Sequence, residues 1–499
     1  MSDLRALEGS LGKTLSIFMP LTVTAFLWLT SPNVITPVDG LCAFLLLFLV
    51  GFTYSRWRVS SRDSFPLFPA VCSVYWIAFA LPLFWGPRRL GIAFLEDYYV
   101  SDASITLAMV LVGVGILSFG FGMRSGIGRR WILKAYPDIQ ADPARWTYLR
   151  MILVVGCFVG WYGNSNYILG EGGRQILIIL QTTIPTVAFA VLFRGYLLGE
   201  IQPIDRFLIV LYVSLRLIGG LSSGWVGTFA STAITCAALY ISERRKTPKL
   251  AIVIVAIYVL FFQVAKEPFR EAYWDAGETG TGMDRLEAGG RMERLAFWTR
   301  ESKARWKGAL TGTSGETVID LLYVSTSRLS LLTQAAHVVE LTPSEVPYQH
   351  WLLYSYLPIS LIPRFLWPQK PSIDEANKFY QITYGLAYEE MPVSIAVGSM
   401  TEGYISFGWL GVACVMFLIG VFMDFVQRNF FSKDTGILMK ALGVTLLPQL
   451  LSAESQMAAY IGGLIQQIFL TILIFLPAIH FVKLKTSDQP PAAVLQGAQ

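Results

Sequence analysis

The sequence has few charged residues and very little histidine. Charged residues make up 15% of the 499-residue chain, against about 25% in an average soluble domain. Only three histidines occur, and none of the five cysteines stands in a CxxC motif or beside a histidine. A multi-histidine or zinc-type metal site is therefore not predicted, and no cofactor is expected. P-loop, GxGxxG and HExxH motifs are also missing, so nothing favours an ATP-driven pump.

Long apolar segments dominate the chain instead. The mean hydropathy is +0.53, and the strict alternation of a β-barrel does not appear. The sequence predicts an all-α polytopic integral membrane protein with 12 to 14 transmembrane helices. Twelve spans are predicted at residues 14–31, 37–55, 66–85, 103–123, 148–168, 175–194, 207–222, 226–241, 249–264, 404–427, 437–453 and 459–482. The first lacks a small-residue cleavage site and is predicted to be an uncleaved span. Two doubtful segments, 317–339 and 351–366, either cross the membrane or form a re-entrant or interfacial pair.

Basic residues favour alternate loops, which predicts the orientation of the chain. Arg56, Arg58 and Arg62 follow the second span, and Arg244-Arg245-Lys246 follow the eighth. Because loops rich in Lys and Arg stay on the cytoplasmic side, both termini are predicted to be cytoplasmic. The large loop 265–316 is then on the outer side.

The predicted spans divide the chain into five regions. Basic and acidic residues balance in the large loop, so nucleic acid is not an expected partner. The regions are 1–264 with spans 1 to 9, the outer loop 265–316, the amphipathic segments and outer loop 317–400, the C-terminal spans 401–485 and a disordered cytoplasmic tail 486–499.

Three cations in region 317–400 are candidate site residues. Arg328 adjoins a polar stripe in segment 317–339, where it either binds substrate or pairs with a buried acid such as Asp320. Arg364 and Lys370 flank Trp367 in a proline-rich exit from the membrane. They are either a snorkelling pair or a fixed phosphate site, for which the planar arginine fork is well suited.

Further candidates are spread over other segments. Glu402 begins a segment otherwise without charge, so it is either a general base or sugar ligand, or the partner of an arginine. Lys266 and Arg270 open the outer loop and are either interfacial or substrate-binding. Arg216 is an intramembrane cation near the outer end of its predicted span, where it is either paired, snorkelling or substrate-binding.

The order of these motifs resembles a known family. The likeness covers residues 320–425 and comprises Arg328 in an amphipathic helix, Ile-Pro-Arg-x-x-Trp-Pro-x-Lys-Pro at 362–371 and Glu-x-Tyr-x-x-Phe-Gly-x-x-Gly at 402–411. In these residues the chain resembles the bacterial Wzy-type O-antigen and exopolysaccharide polymerases.

The resemblance implies a function and a setting. It implies a glycosyltransferase that polymerises undecaprenyl-diphosphate-linked oligosaccharide repeat units by block transfer, without metal, at the outer face of the bacterial inner membrane. It also implies a GT-C-like membrane fold with a polar cavity on the periplasmic side. A chain-length regulator and a flippase are the implied protein partners. The alternatives are an O-antigen ligase that transfers glycan to lipid A core and, third, a lipid-oligosaccharide transporter.

Roles for individual residues follow from this resemblance and from their chemistry. Arg328, Arg364 and Lys370 are expected to stabilise the leaving diphosphate. Glu402 is expected to remove a proton from the acceptor hydroxyl. Arg328, Arg364 and Lys370 are predicted to converge on one outward-facing cavity. The expected substrate-binding residues are Lys370, Tyr348, His350, Trp367, Tyr404, Lys266, Arg270 and Arg216.

Overall fold

Helices make up most of the structure. The computed structural model describes residues 18–60, 63–92, 95–140, 142–162, 170–273, 290–327, 329–362, 366–367, 369–371, 375–387, 395 and 397–483. Its helices are α1 (Phe18–Thr30), α2 (Pro37–Val59), α3 (Leu67–Tyr75), α4 (Leu81–Trp85), α5 (Asp102–Arg124), α6 (Pro143–Tyr162), α7 (Gly170–Gln181), α8 (Thr183–Leu198), α9 (Pro203–Ser223), α10 (Val226–Arg244), α11 (Lys249–Gln263), α12 (Lys266–Tyr273), α13 (Arg291–Thr311), α14 (Val318–Ser327), α15 (Leu332–Leu341), α16 (Tyr356–Leu361), α17 (Glu375–Thr383), α18 (Ser399–Phe430), α19 (Ile437–Leu450) and α20 (Met457–Phe475). A π-helix, Trp76–Ala80, joins α3 to α4.

Among the described residues, six helical stretches are long and apolar enough to cross a membrane, or seven if the bent pair α11–α12 is one span. Two of the six combine neighbouring helices: α3 continues through the π-helix into α4, and the end of α7 continues into α8. The chain is thus an all-α, multi-pass membrane protein. The sequence predicted 12 to 14 spans, which is more than the six or seven found among the described residues. Part of the difference comes from short helices, such as α19 with 14 residues, and part from polar ones, such as α9, which carries Asp205, Arg206 and Arg216.

The doubtful segments 317–339 and 351–366 contain only short helices. Helices α14 and α15 have 10 residues each, and α16 has six. A 10-residue helix extends about 15 Å, which is half of the hydrocarbon thickness of about 30 Å. In the described residues, helices this short fit a re-entrant or interfacial pair better than two helices that cross the membrane.

Two short antiparallel ribbons interrupt the helices, and one of them marks an end of the bundle. Strand β1 (Arg89–Ile92) pairs with β2 (Leu95–Tyr99), and β3 (Ala135–Ile139) pairs with β4 (Ile479–Lys483) in the register Tyr136 to Val482. We call the end that carries β3 and β4 the strand end. Helix α6 begins there and its 20 residues extend about 30 Å, so its last turn lies at the opposite end.

Helices α5 and α18 form the most extensive helix pair and cross at glycines. A Cβ atom at Gly122 would overlap the carbonyl oxygen of Phe417, and one at Gly420 would overlap that of Phe119. Small residues of this kind let two helix backbones approach closely.

An alanine at Gly122 is expected to destabilise the protein by at least about 1–3 kcal/mol, because the added methyl group must push the two backbones apart. The control is Gly113→Ala on the same helix, where a Cβ atom meets nothing within 4 Å. Thermal unfolding in detergent compares the two variants. Equal melting temperatures for both would contradict the close crossing.

Helix α18 is broken near its start. Phe407 and Gly408 leave the helical region, and Gly408 has φ of +63°, which a side chain would disfavour. The chain therefore turns back, and the backbones of Gly403 and Gly411 touch. This turn separates a short helix, 399–406, from the long helix, 409–430, and sets the position of Glu402.

Candidate functional site

A cavity of about 270 Å³ lies where α6, α9, α10 and α13 meet, at the end opposite β3 and β4. Its lining contains three arginines, several hydroxyl groups and no carboxylate among the described residues. The lining residues are Gly156, Cys157, Gly160, Trp161, Gln181, Tyr212, Leu215, Arg216, Gly219, Ser222, Ser223, Thr228, Arg291 and Arg294. We call this space the arginine cavity.

Arg216 enters the cavity from α9. Its Nε atom is buried and has no hydrogen-bond partner among the described residues. No carboxylate forms an ion pair with it in the part of the chain that the structure describes. Arg216 as a whole is half-buried. A partly buried guanidinium group without a counter-charge is costly, and a bound anion would offset that cost.

Arg291 and Arg294 enter the cavity from the first turn of α13. Arg294 is buried, and its Nε donates a hydrogen bond of 2.7 Å to the carbonyl of Ser222 at the end of α9. The Arg291 guanidinium lies 4.2 Å from the ring centre of Trp161 and donates to the carbonyl of that residue. Burial lowers the pKa of Arg294, and the neighbouring charge of Arg291 lowers it further. Two cations are thus held close together.

Helix α13 is fixed across the ends of the neighbouring helices by a small second core. Trp298 is fully buried and donates to the carbonyl of Phe262 at 2.8 Å. It packs with Leu221, Val226, Ala265 and Phe269. The backbone bonds and this core therefore hold the cavity arginines on a fixed helix.

The sequence prediction included Arg216 but missed Arg291, Arg294 and Trp161. The balanced charge of region 265–316 suggested a folded or solvated surface and no cavity residues. One feature of the sequence could have revealed these arginines. Arg291 and Arg294 are three residues apart in a run of helix-forming residues, so they lie on one face of a helix. That face adjoins the apolar residues that contact the ends of the spans.

Glu402 lies outside the arginine cavity and is fully buried. Its Oε2 atom accepts a 2.7 Å hydrogen bond from the backbone N–H of Met457, the first residue of α20. A carboxylate at a helix N-terminus is favourable there. Its Oε1 atom has no partner among the described residues, and the carboxylate is within electrostatic range of the Tyr354 phenol. The ion pairs among the described residues do not include Glu402. Arg328 and Arg364, the arginines suggested as its partners, lie outside those residues, so that alternative stays a prediction.

The predicted cation cluster cannot be assembled from the described residues. Arg328 and Arg364 lie outside them, so the predicted convergence with Lys370 stays a prediction. Lys370 is buried, and its Nζ donates to the carbonyl oxygens of Ile359 at 3.3 Å and Ile362 at 2.7 Å. These bonds tie the proline-rich segment to the end of α16.

Asp320, the suggested partner of Arg328, caps the start of α14. Its Oδ2 atom accepts hydrogen bonds from the backbone N–H and the hydroxyl of Thr317, which lower the pKa of the carboxyl group. In the structure, this carboxylate stabilises the N-terminus of α14.

The aromatic residues and the histidine that were predicted to bind substrate differ in how exposed they are. Trp367 is exposed, whereas Tyr404 is buried and donates to the carbonyl of Thr342 at 3.3 Å. The Tyr348 hydroxyl lies against Gly408 at the helix break. His350 is exposed, its ring lies 5.6 Å from that of Phe407, and its backbone N–H donates to the Ser406 carbonyl. Tyr348, His350 and Tyr404 lie at the helix break, and all four residues lie outside the arginine cavity lining.

Lys266 and Arg270 lie on α12 and do not line the arginine cavity. The Lys266 ammonium lies 5.3 Å from the ring centre of Trp225. It is also within electrostatic range of Glu454, an exposed acid between α19 and α20 that sequence analysis did not select.

The fold and this site define a multi-pass, all-α membrane protein with a cationic cavity at one end of its helices. A family model described as a domain of unknown function (DUF8712) matches residues 309–431. This segment runs from the end of α13 to just past α18 and overlaps residues 320–425, which carry the Wzy-type resemblance. No curated protein and no solved structure matches the chain.

Proposed function

We propose that this protein is a glycosyltransferase of the Wzy-polymerase kind, which extends glycans from polyprenyl-diphosphate donors. The observation that carries the proposal is the arginine cavity, in which Arg216, Arg291 and Arg294 surround one small space, and none of the described residues that line it is a carboxylate. Arginine binds phosphate oxygens through parallel hydrogen bonds, so this space suits a phosphate group or a diphosphate.

The size of the cavity supports a diphosphate rather than a whole oligosaccharide. At about 270 Å³ it is slightly below the usual range of about 300–1,000 Å³ for small-molecule pockets. A lipid-linked glycan would insert only its charged linkage, with the prenyl chain in the bilayer and the sugars outside. The mixture of arginines and hydroxyl groups in the lining fits such a linkage.

The chemistry requires stabilisation of a leaving anion. An acceptor hydroxyl oxygen bonds to the anomeric carbon of the donor, the bond from that carbon to the diphosphate breaks, and the electron pair leaves on the diphosphate. Fixed guanidinium groups in a site of low dielectric stabilise this growing charge. A base takes the hydroxyl proton. Glu402 is the sequence-based candidate, and Glu454 is a more exposed alternative.

The location of the cavity favours an enzyme over a transporter. Transporter sites usually lie near the middle of the membrane, between repeated halves. Arg216 is seven residues from the end of α9, and Arg291 and Arg294 belong to a helix that crosses the span ends.

Purified protein in nanodiscs should convert a polyprenyl-diphosphate-linked oligosaccharide into a ladder of longer glycans in the presence of a chelator and without nucleotide. Gel electrophoresis of the released glycans measures this. Lipid A core in a parallel reaction tests the ligase alternative, and a scrambling assay in vesicles tests the transporter alternative.

A ladder that requires a divalent ion would contradict the metal-free mechanism. Transfer only to lipid A core would favour the ligase. Movement of the donor across the vesicle membrane without any glycan product would favour the transporter.

A further inference from the structure

A second cationic recess lies near the strand end, away from the arginine cavity. It has a volume of about 510 Å³ and is formed by α2, α3, α5, α18 and the turn after α5. Its lining residues are Thr53, Arg56, Trp57, Asp63, Phe65, Pro66, Leu67, Phe68, Pro69, Met123, Arg124, Arg129, Asp424, Gln427 and Arg428. We call it the strand-end cleft, and we propose that it binds a phosphate-bearing anion.

The charges of the strand-end cleft do not balance. Four arginines and two aspartates line it, and Arg428 forms an ion pair with Asp424 at 2.8 Å. Arg56, Arg124 and Arg129 have no ion pair among the described residues. They come from the end of α2, the end of α5 and the 3₁₀-helix Gly128–Trp131, so three separate segments bring their cations to one space. All three side chains are exposed, and a bound anion would offset the excess of positive charge in this space.

One wall of the cleft, residues 63–65, is fixed by hydrogen bonds. Ser64 donates from its N–H and its hydroxyl to the carbonyl of Phe431 at 2.7 and 2.8 Å. The Gln427 side chain donates to the carbonyl of Phe65 at 2.9 Å. Arg245 donates to the carbonyl of Asp63 at 2.7 Å. A ligand would therefore meet a fixed wall on this side, and the exposed arginine side chains would close on it from the other segments.

The remaining lining is mostly apolar, and α2 forms one side of the cleft. Phe68 and Met123 are half-buried and offer apolar surface next to the arginines. Helix α2 exposes Leu41, Leu45 and Phe52, as a lipid-facing helix would. A phosphate group at the arginines with an apolar portion against Phe68 and Met123 fits the site. The ligand is either the headgroup of an anionic phospholipid or a soluble phosphate, and both share this chemistry.

The test removes the three cations that have no ion pair in the described part of the chain, and it compares an equal loss of charge nearby. The cleft variant is Arg56→Gln, Arg124→Gln and Arg129→Gln in the full-length protein. The control is Arg58→Gln, Arg130→Gln and Lys134→Gln, exposed cations on the same segments or close by that do not line the cleft. Melting temperature is measured in nanodiscs of phosphatidylcholine with increasing phosphatidylglycerol, and in detergent with increasing inorganic phosphate.

Wild type and control are expected to be stabilised by one of these additions, and the cleft variant to need at least about tenfold more of it, the effect of losing about 1.4 kcal/mol of binding. Stabilisation by phosphatidylglycerol alone identifies the lipid, and stabilisation by inorganic phosphate identifies a soluble ligand. An equal response of both variants, or no response of wild type, overturns the proposal. Glycan polymerisation is not part of the readout, so failure of the proposed function would not affect this result.

Discussion

Replacement of Arg216 by glutamine is expected to lower the rate of glycan polymerisation by about 10²-fold, the usual effect of removing one fixed group that stabilises a developing anion. The melting temperature should stay the same or rise. The Nε atom of Arg216 is buried without a hydrogen-bond partner among the described residues, so the substitution removes an uncompensated charge and breaks no described bond.

The matched control is Arg300→Gln on α13, which lies at the same end of the bundle. The Arg300 side chain is 70% exposed and contacts the adjacent Glu301, so its loss should leave turnover nearly unchanged. Turnover is measured by ladder formation and stability by thermal unfolding on the same preparations. A lowered melting temperature for Arg216→Gln with unchanged turnover would assign Arg216 to structure alone.

Glu402→Ala is expected to lower the free energy of unfolding by about 2–4 kcal/mol. The substitution leaves the backbone N–H of Met457 without its carboxylate acceptor and opens a cavity in a fully buried site. Glu402→Gln should be much milder, because the amide oxygen can still accept that hydrogen bond. Comparison of the two variants therefore separates the effect of losing the hydrogen bond to α20 from the effect of losing the negative charge.

Turnover of Glu402→Gln decides whether the charge is needed for catalysis. If Glu402 only holds α20, turnover should remain within a few-fold of wild type. If Glu402 is the general base, as the sequence predicts, turnover should fall by about 10²-fold or more while the melting temperature is retained. The buried position of the carboxylate leads us to expect the first result, and Glu454→Gln then becomes the next variant to measure.

Most helices could be predicted because apolar runs of bilayer length are a strong local signal. The expected spans at 103–123 and 226–241 correspond to α5 and α10 within a few residues. The break in α18 could not be predicted. Residues 399–430 are apolar almost throughout, and only the return of the backbone at Phe407 and Gly408 distinguishes a turn from one long helix.

The candidate site was harder to predict because its residues come from distant segments. Arg216 was recognised because a charge inside an apolar segment is conspicuous. Arg294 gave no such signal, since its segment is polar in sequence. It becomes buried where α13 packs against the end of α9, and there it donates to the carbonyl of Ser222. For Glu402 the burial was predictable, but its partner, the backbone of Met457, has no signature in the sequence.

The pairing of β3 with β4 has a consequence for biosynthesis. Strand β3 ends at Ile139 and its partner begins at Ile479, so a ribosome that adds about 5–20 residues per second needs on the order of tens of seconds to supply the second strand. During that time, the edge of β3 has no β4 to bind, and the Asp138 side chain awaits its contact with the N–H of Leu438 at the start of α19. Closure of the strand end is therefore a late event in assembly, and a nascent chain stalled before Ile479 would expose an open strand edge to chaperones and proteases.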